Sequence, residues 1–583
     1  MKSSKSEKSS LRQFMPYLKK YKVSIIFALI LGLLVALASV YMTYEIGHAI
    51  DQMIGKGQVN FHSLTNILFI FLGLVIIVSL GQLLIQTIAN NISYKVVEDL
   101  RDESFKHLNK LPLSYYDSHS HGDIISCFSN DMDNISYALM SLLGQLFLGL
   151  STVILVLIIM LKASLILSMV VLLSTPLMFF VSWWVGYSSQ KTFNRQQKLV
   201  GSMSSFVSEM VGNQKLVIAF NQEKKNNVKF DTLNQELYVE GQKAQFISSL
   251  TNPVSRFIDH LVYIAIGLVG AYILLRTNHN MTIGLISSFT IYSTQFSKPF
   301  IEITGLLTPI QTALSGLDRV FNLLNQKEES PDQSLPQLEE VQGHISFDSV
   351  SFSYKSDQPL IKDLNLDVKP ASQVAIVGKT GAGKSTLVNL LMRFYDVDKG
   401  AILVDGIDIR QVTRDSLRIK FGMVLQDAWL FDGTIRDNLT YGNEKASDAE
   451  IYQVLRKSYM YDFVMRLPKK LDSYIGNQGI QLSEGQKQLL TIARAMLSHP
   501  SMLILDEATS SVDSLTELKI QSAFLDMMKG KTSFIIAHKL STIKSSDIIL
   551  VMEDGDIVEF GNHEDLLAKK GKYYELYKAQ FSK

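Results

Sequence analysis

The chain has 583 residues, too many for one ordinary domain, and its single cysteine, Cys127, allows neither an intrachain disulfide nor a thiolate metal cluster. With 56 Lys and Arg against 55 Asp and Glu, the net charge is +1, which offers no argument for nucleic acid or a strongly acidic partner. The hydrophobic residues, 47 % of the whole, are unevenly spread: nearly all long apolar runs precede Leu324, and the remainder has the mixed composition of a soluble domain.

A helix needs about 20 mostly apolar residues to cross a bilayer. Six runs approach or exceed that length: Val23–Tyr44, Leu64–Ile88, Ala138–Met160, Ser164–Tyr187, Phe257–Leu274 and Ile283–Leu306. The basic stretch before the first (Lys2, Lys5, Lys8, Arg12, Lys19, Lys20, Lys22) resembles the start of a secretion signal. The run behind it is full span length without a persuasive cleavage site, so it is expected to stay as the first helix. Only Leu161–Ala163 separates the third run from the fourth, which predicts a tight hairpin there.

Lys and Arg crowd the N-terminal tail and the segment between runs four and five (Lys191, Arg195, Lys198, Lys215, Lys224, Lys225, Lys229, Lys243, Arg256). The opposite loops carry little beyond Lys56, Lys162 and Arg276. By this asymmetry both termini are cytoplasmic. The inside loops Ala89–Tyr137 and Ser188–Arg256 are long, and Tyr94–Lys110 and Phe220–Gln245 keep helical spacing, which predicts helices continuing past the bilayer. Gly122 and Gly212 mark turns. Glu45, Asp259, Lys298 and Glu302 lie in or near apolar runs, where charge is costly and faces a cavity or a partner charge. Lys298 and Glu302, four apart, can neutralise each other along one helix. Phe289, Tyr292 and Phe296 share a helix face, either packing or lining an adaptable pocket.

Beyond Leu324, NQKEESPDQSLPQ is polar with two prolines, a linker by composition. HISFDSVSFSY then alternates as a strand does and ends on Tyr354. QVAIVG runs straight into GKTGAGKS, and LVNLLMRFY returns at helical spacing, the strand–loop–helix context of a phosphate-binding loop. Gly378, Gly381 and Gly383 let backbone amides turn toward the phosphates, with Lys379, Thr380 and Ala382 between them. Lys384 supplies a cation, Ser385 a hydroxyl for Mg²⁺, and Thr386 a further donor. SMLILDE is an apolar strand closing on Asp506, suited to Mg²⁺, and Glu507, placed to polarise the attacking water. TSFIIAHK delivers His538, which can hold that water and Glu507 in position.

With LSEGQ at Leu482–Gln486 and ILDEATSSVD, these residues resemble the ABC transporter ATPase domain over Ile345–Phe581. The resemblance implies that Tyr354 stacks on adenine and that Gln426 touches Mg²⁺ and water. It also implies that Ser510–Asp513 is exchanged across a dimer. Ser483, Gly485 and Gln486 would complete a partner's ATP site, as a helix N-terminus acting in trans. The strings Leu111–Ile135 and Glu209–Glu223 resemble the coupling loops of ABC exporters. Six spans ahead of one ATPase resemble a half-size exporter of the multidrug and lipid type.

The implied fold is multi-domain: a polytopic α-helical membrane domain (23–324) of six transmembrane helices extended into the cytoplasm, preceded by a cytoplasmic tail (1–22). A linker (325–343) then leads to an α/β P-loop ATPase domain with a helical subdomain (344–583). The implied activity is ATP hydrolysis driving export of amphipathic drugs or lipid-like compounds, with ATP and Mg²⁺ as cofactors, across a bacterial plasma membrane. Alternatives are a dedicated exporter of a defined peptide or lipid-linked substrate, or an ATP-gated channel or sensor subunit. Membrane lipid and an amphipathic small molecule are the other expected partners. Glu484 stands where the family's commonest signature has glycine, and IGNQG lacks the glutamate that usually follows its first glycine. Glu507, Gln426 and His538 are all present, a combination that favours a heterodimer with a second half-transporter over a homodimer.

Overall fold

The computed structural model describes residues 3–54, 59–276, 281–355, 357–379, 381–476, 479–506, 512–536 and 540–581. They divide into two compact units, Met1–Lys110 with His119–Lys327, and Leu111–Ser118 with Glu328–Lys583.

The first unit is helical. Its helices are α1 (Ser3–Lys19), α2 (Lys22–Asp51) and α3 (Phe61–Leu108); the six-residue α4 (Leu113–Ser118) belongs to the second unit. The first unit continues with α5 (His121–Ser126), α6 (Met132–Ala163), α7 (Leu165–Gly212), α8 (Gln214–Ala219), α9 (Glu223–Ser249), α10 (Thr251–Arg276), α11 (Ile283–Gly305) and α12 (Leu307–Leu324). The six apolar runs fall in helices, apart from the edge residues Ser164 and Leu306. Among the described residues, Lys22–Asp51, Phe61–Leu108, His121–Ala163 and Arg256–Arg276 are long and apolar enough to cross a membrane. The sixth run, in α11, is diluted by Ser, Thr and Gln and by Lys298 and Glu302. Helix α3 has 48 residues, about 72 Å at 1.5 Å per residue, more than twice a hydrocarbon core.

One local expectation changes and one open alternative is decided. The turn between α6 and α7 falls on Ser164 alone, not on Leu161–Ala163, which stays helical. Ser164 takes an extended conformation (φ −159°, ψ 112°), and its hydroxyl accepts from the Leu167 amide at 3.4 Å, capping α7. Phe289, Tyr292 and Phe296 are buried to 0, 1 and 4 % exposure in a cluster with Val40, Met160 and Ile266, so this face packs and does not line a pocket.

Close helix approach explains several glycines. A Cβ on Gly32 would sit 1.9 Å from the Phe147 carbonyl oxygen, and one on Gly284 1.9 Å from that of Gly47, so α2 meets α6 and α11 backbone to backbone. The Asp51 carboxylate then caps α11 by accepting from the Gly284 amide at 2.7 Å. The N-terminal basic stretch is a docked helix: Phe14 and Tyr17 are buried, the Tyr17 hydroxyl donates to Glu103 at 2.6 Å, and Lys20 pairs with Asp99 at 2.9 Å. A π-helical turn, Cys127–Asp131, joins α5 to α6, and its buried Asp131 is held by Arg319 of α12 through two guanidinium nitrogens.

The second unit is α/β. Its strands are β1 (Ile345–Phe352), β2 (Ile361–Val368), β3 (Gln373–Gly378), β4 (Lys399–Val404), β5 (Ile407–Asp408) and β6 (Phe421–Val424). They continue with β7 (Gly433–Thr434), β8 (Tyr474–Ile475), β9 (Met502–Asp506), β10 (Thr532–Ile536), β11 (Ile548–Glu553) and β12 (Asp556–Gly561). One sheet has the order β12-β11-β3-β10-β9-β6, parallel except for β12; an antiparallel sheet has the order β2-β1-β4-β5, and β7 pairs with β8. The interior strands β3, β9 and β10 are buried on both faces, the mark of a parallel sheet covered on both sides. Segment 325–343 is packed from Glu328 onward. Leu338 is buried, and Glu329 and Asp332 reach Arg414 at 3.7 and 3.4 Å.

Candidate functional site

Strand β3 ends on Gly378, and a Cβ there would lie 2.4 Å from the Met552 carbonyl of β11, so the loop starts hard against the neighbouring strand. Gly381 (φ 86°) and Gly383 (φ 95°) hold left-handed backbone, which side chains resist. Gly383 is thereby the N-cap of helix α13 (Lys384–Leu391). The loop closes on its own lysine. Lys384 Nζ donates to the carbonyls of Gly378 at 2.7 Å and Lys379 at 3.0 Å, and the residue is only 9 % exposed. Burial lowers its pKa, and the nearby Asp506 carboxylate opposes that shift, which places the two charges within electrostatic reach. The Ala382 carbonyl accepts from the Gly555 amide at 3.1 Å, fixing the loop from its other side.

On α13, Ser385 is exposed and Thr386 is buried. The Thr386 hydroxyl accepts from Tyr354 at 3.2 Å, and Asn389 Nδ2 donates to the same tyrosine oxygen at 3.2 Å. The Tyr354 ring remains 47 % exposed, edge-on to Phe352 at 4.9 Å and to Tyr395 at 5.0 Å. Its hydroxyl is thus tethered while a face stays open for a planar ligand.

Parallel pairing delivers further residues to the same end of the sheet. Ile536 of β10 registers with Ile376 of β3 and with Asp506 of β9, and Leu505 pairs with Val424 of β6. Asp506 is half-buried at its strand end, and Gln426 is exposed two residues beyond β6. Such carboxyl ends are where open α/β sheets bind ligands. Thr380, Glu507 and His538 lie outside the described residues, as do Ser510 and Ser511.

The LSEGQ segment starts helix Glu484–Leu497 with a capping box. Ser483 Oγ accepts from the Gln486 amide at 3.3 Å, and Gln486 Oε1 accepts from the Ser483 amide at 3.0 Å. A hydroxyl that accepts from an amide keeps its own proton to donate. Gly485 is buried; a Cβ there would come within 2.5 Å of Thr516 Cγ2 and 2.9 Å of Val512 Cγ1, so glycine is required for packing at this position. Glu484 is 60 % exposed and pairs with Lys487 at 2.7 Å. Asp513 caps the following helix, Ser514–Met528, and the Thr516 amide holds its carboxyl below the usual range.

Two residues carried no signal in the sequence. Arg494, eleven residues after Ser483, donates to the Asn438 carbonyl at 2.8 Å, to Asn438 Oδ1 at 2.8 Å and to the Trp429 carbonyl at 3.1 Å. It therefore ties the signature helix to the segment just past Gln426. Tyr395 donates to Asp117 of α4, and burial followed by that bond raises its pKa. It shares an aromatic cluster with Tyr354, so α4 is one residue removed from the Tyr354 ring. Gln426 and Arg494 lie far apart in sequence, and only the folded register brings their segments together.

The loop amides, the α13 terminus and Lys384 are the kind of donors and positive charge that a polyphosphate cradle needs. Comparison with known proteins agrees. Residues 25–300 match the ABC transporter transmembrane region and residues 361–510 the ABC transporter family model. The chain is 41 % identical over 485 residues to the fatty acid ABC transporter ATP-binding/permease protein of Mycobacterium bovis, covering 83 % of this chain and 76 % of that one. It is 34 % identical over 491 residues to the ATP-dependent lipid A-core flippase of Syntrophus aciditrophicus, covering 84 and 81 %. Among solved structures, a bacterial Atm1-family ABC exporter with ATP bound superimposes with a TM-score of 0.77 at 27 % identity, covering 97 % of this chain and 99 % of that chain.

Proposed function

The chain belongs to the ABC transporter family and joins that family's transmembrane region to an ATPase that couples ATP hydrolysis to transport, and from this we propose that it exports lipid-like amphiphiles of the fatty acid type. The 41 % identity to a fatty acid transporter, over 83 % of this chain, carries the reading. A lipid A-core flippase at 34 % supports a lipid cargo over a peptide one.

Lys384 and the loop amides hold the β- and γ-phosphates, Tyr354 stacks on the base, and Glu507 with His538 positions the attacking water. No group of three or more His, Cys, Asp or Glu among the described residues could cage a metal. Oxygen donors from Ser385, Gln426 and Asp506 instead suit a Mg²⁺ ion that keeps waters and takes phosphate oxygens, where it would neutralise phosphate charge. Both termini and the ATPase face the cytoplasm, on the Lys and Arg asymmetry of the loops.

The working unit is a dimer of half-transporters, because a signature helix cannot reach the nucleotide of its own chain. A different partner chain is favoured by Glu484 at the start of that helix. A homodimer is the second reading, favoured by one observation: Glu484 is already paired with Lys487, which reduces its repulsion of a phosphate. The test is ATP turnover by the chain purified alone in lipid, with nucleotide binding verified and Glu507→Gln as the blank. Binding without turnover is the expected result. Turnover that disappears in Glu507→Gln would establish the homodimer instead.

A further inference from the structure

Within the six apolar runs, only three residues are Asp, Glu, Lys or Arg: Asp259, Lys298 and Glu302. All three fall on the α10–α11 hairpin. The register of that hairpin is set twice. The Tyr263 and Thr294 hydroxyls bond across it, and a Cβ on Gly270 would meet Ile286 Cγ1 at 2.8 Å. In an antiparallel pair, one turn from Tyr263 toward the start of α10 is Asp259, and one turn from Thr294 toward the end of α11 is Lys298. The carboxylate and the ammonium therefore lie at one level, about 22 Å past the start of α11.

Neither group is well matched by protein. Lys298 is 70 % exposed, and its bridge to Glu302 is 3.8 Å long, at the outer limit of an ion pair. Asp259 Oδ1 is buried and has no hydrogen-bond partner among the described residues. Charge in a membrane segment is expensive, and its retention marks a ligand path.

Resting on the lipid reading above, we propose that Asp259 and Lys298 form the headgroup site for a single-chain carboxylic acid. One headgroup oxygen accepts from Lys298 Nζ, displacing Glu302, while a single proton is shared between the other oxygen and Asp259 Oδ1. A carboxylic acid fits because it offers an acceptor and a proton on one carbon, to set against an ammonium held only by a long bridge to Glu302 and a carboxylate oxygen without a partner among the described residues. An ester of the same chain has no proton to share and matches only half of the site. The level of the site, in the cytoplasmic half of α11 for cytoplasmic termini, suits collection of cargo from the inner leaflet.

Photolabelling in host membranes tests this, using a diazirine-bearing fatty acid on the tagged full chain, with unlabelled oleic acid or its methyl ester as competitor. Labelling of the wild type is expected to saturate, with the acid competing far better than the ester. Lys298→Gln should need roughly tenfold more fatty acid for half-saturation, and Lys298→Arg should restore most of that loss, which separates a charge role from a folding defect. Equal concentration dependence in wild type and Lys298→Gln would overturn the site while leaving lipid export intact. Absence of saturable labelling in the wild type would overturn both.

Discussion

Replacing Lys384 with alanine is expected to lower ATP turnover of the assembled dimer by a factor on the order of 10²–10³, the usual loss when a preorganised charge aimed at the reacting group is removed. The structure gives the substitution a second consequence. The ammonium holds the loop closed through the Gly378 and Lys379 carbonyls, so the alanine variant loses both the cation and the clasp that shapes the cradle. Nucleotide affinity should fall along with turnover. A pH signature separates the two roles. Burial keeps the Lys384 pKa below the ordinary lysine value, so the unfolded chain binds this proton more tightly than the nucleotide-free fold. Stability of the wild type therefore rises with pH between the folded value and about 10.4, and this contribution is lost as pH falls through the folded value. Denaturation of the two proteins across that range should show a shallower rise in Lys384→Ala. An unchanged slope would mean that the amine is solvated in solution.

Alanine at Gly485 should be nearly as damaging, for a packing reason. Its Cβ would arrive 2.5 Å from Thr516 Cγ2 and 2.9 Å from Val512 Cγ1, both on β-branched side chains with little freedom to yield. Overpacking of this kind costs about 1–3 kcal/mol. Here the strain falls on the first turn of the signature helix, two residues from Ser483, so turnover of the assembled dimer should drop along with stability. The clash has an identified source, which provides the check. Thr516→Ser removes Cγ2 and leaves in place the backbone amide that donates to the capping carboxylate of Asp513. The double variant should therefore recover a good part of the lost denaturation midpoint, a coupling read directly from the double-mutant cycle. If Thr516→Ser restores nothing, the Thr516 contact is not what the glycine makes room for.

The parts legible in the sequence were those whose chemistry is local. The phosphate loop, the strand entering it and the helix leaving it are contiguous, and β3 ends at the residue where QVAIVG ends. Helix α3 could likewise be followed past the bilayer because its polar half keeps the spacing of its apolar half. What remained hidden depends on pairing at a distance. Arg319 and Asp131 are 188 residues apart, and neither stands out until α12 lies against the π-helical turn. Arg494 looks like one more charge on an amphipathic helix, yet its guanidinium is spent on Asn438 and the Trp429 carbonyl. Composition also misplaced two features. Leu161–Ala163 are good helix formers, so the hairpin turned at the serine that could cap the next helix. The proline-bearing segment after Leu324 reads as a linker, but Leu338, Glu329 and Asp332 anchor most of it to the ATPase unit. The Asp259–Lys298 level needed both the charges, which the sequence displays, and the hairpin register, which it does not.

The most direct test of the account is fatty acid uptake by inside-out membrane vesicles from the host, in which the ATPase faces the medium and any partner chain is present. Vesicles carrying the wild-type chain should accumulate radiolabelled oleic acid in the lumen when ATP is added, and vesicles carrying Glu507→Gln should not. Equal ATP-dependent uptake by the two would contradict lipid export by this chain.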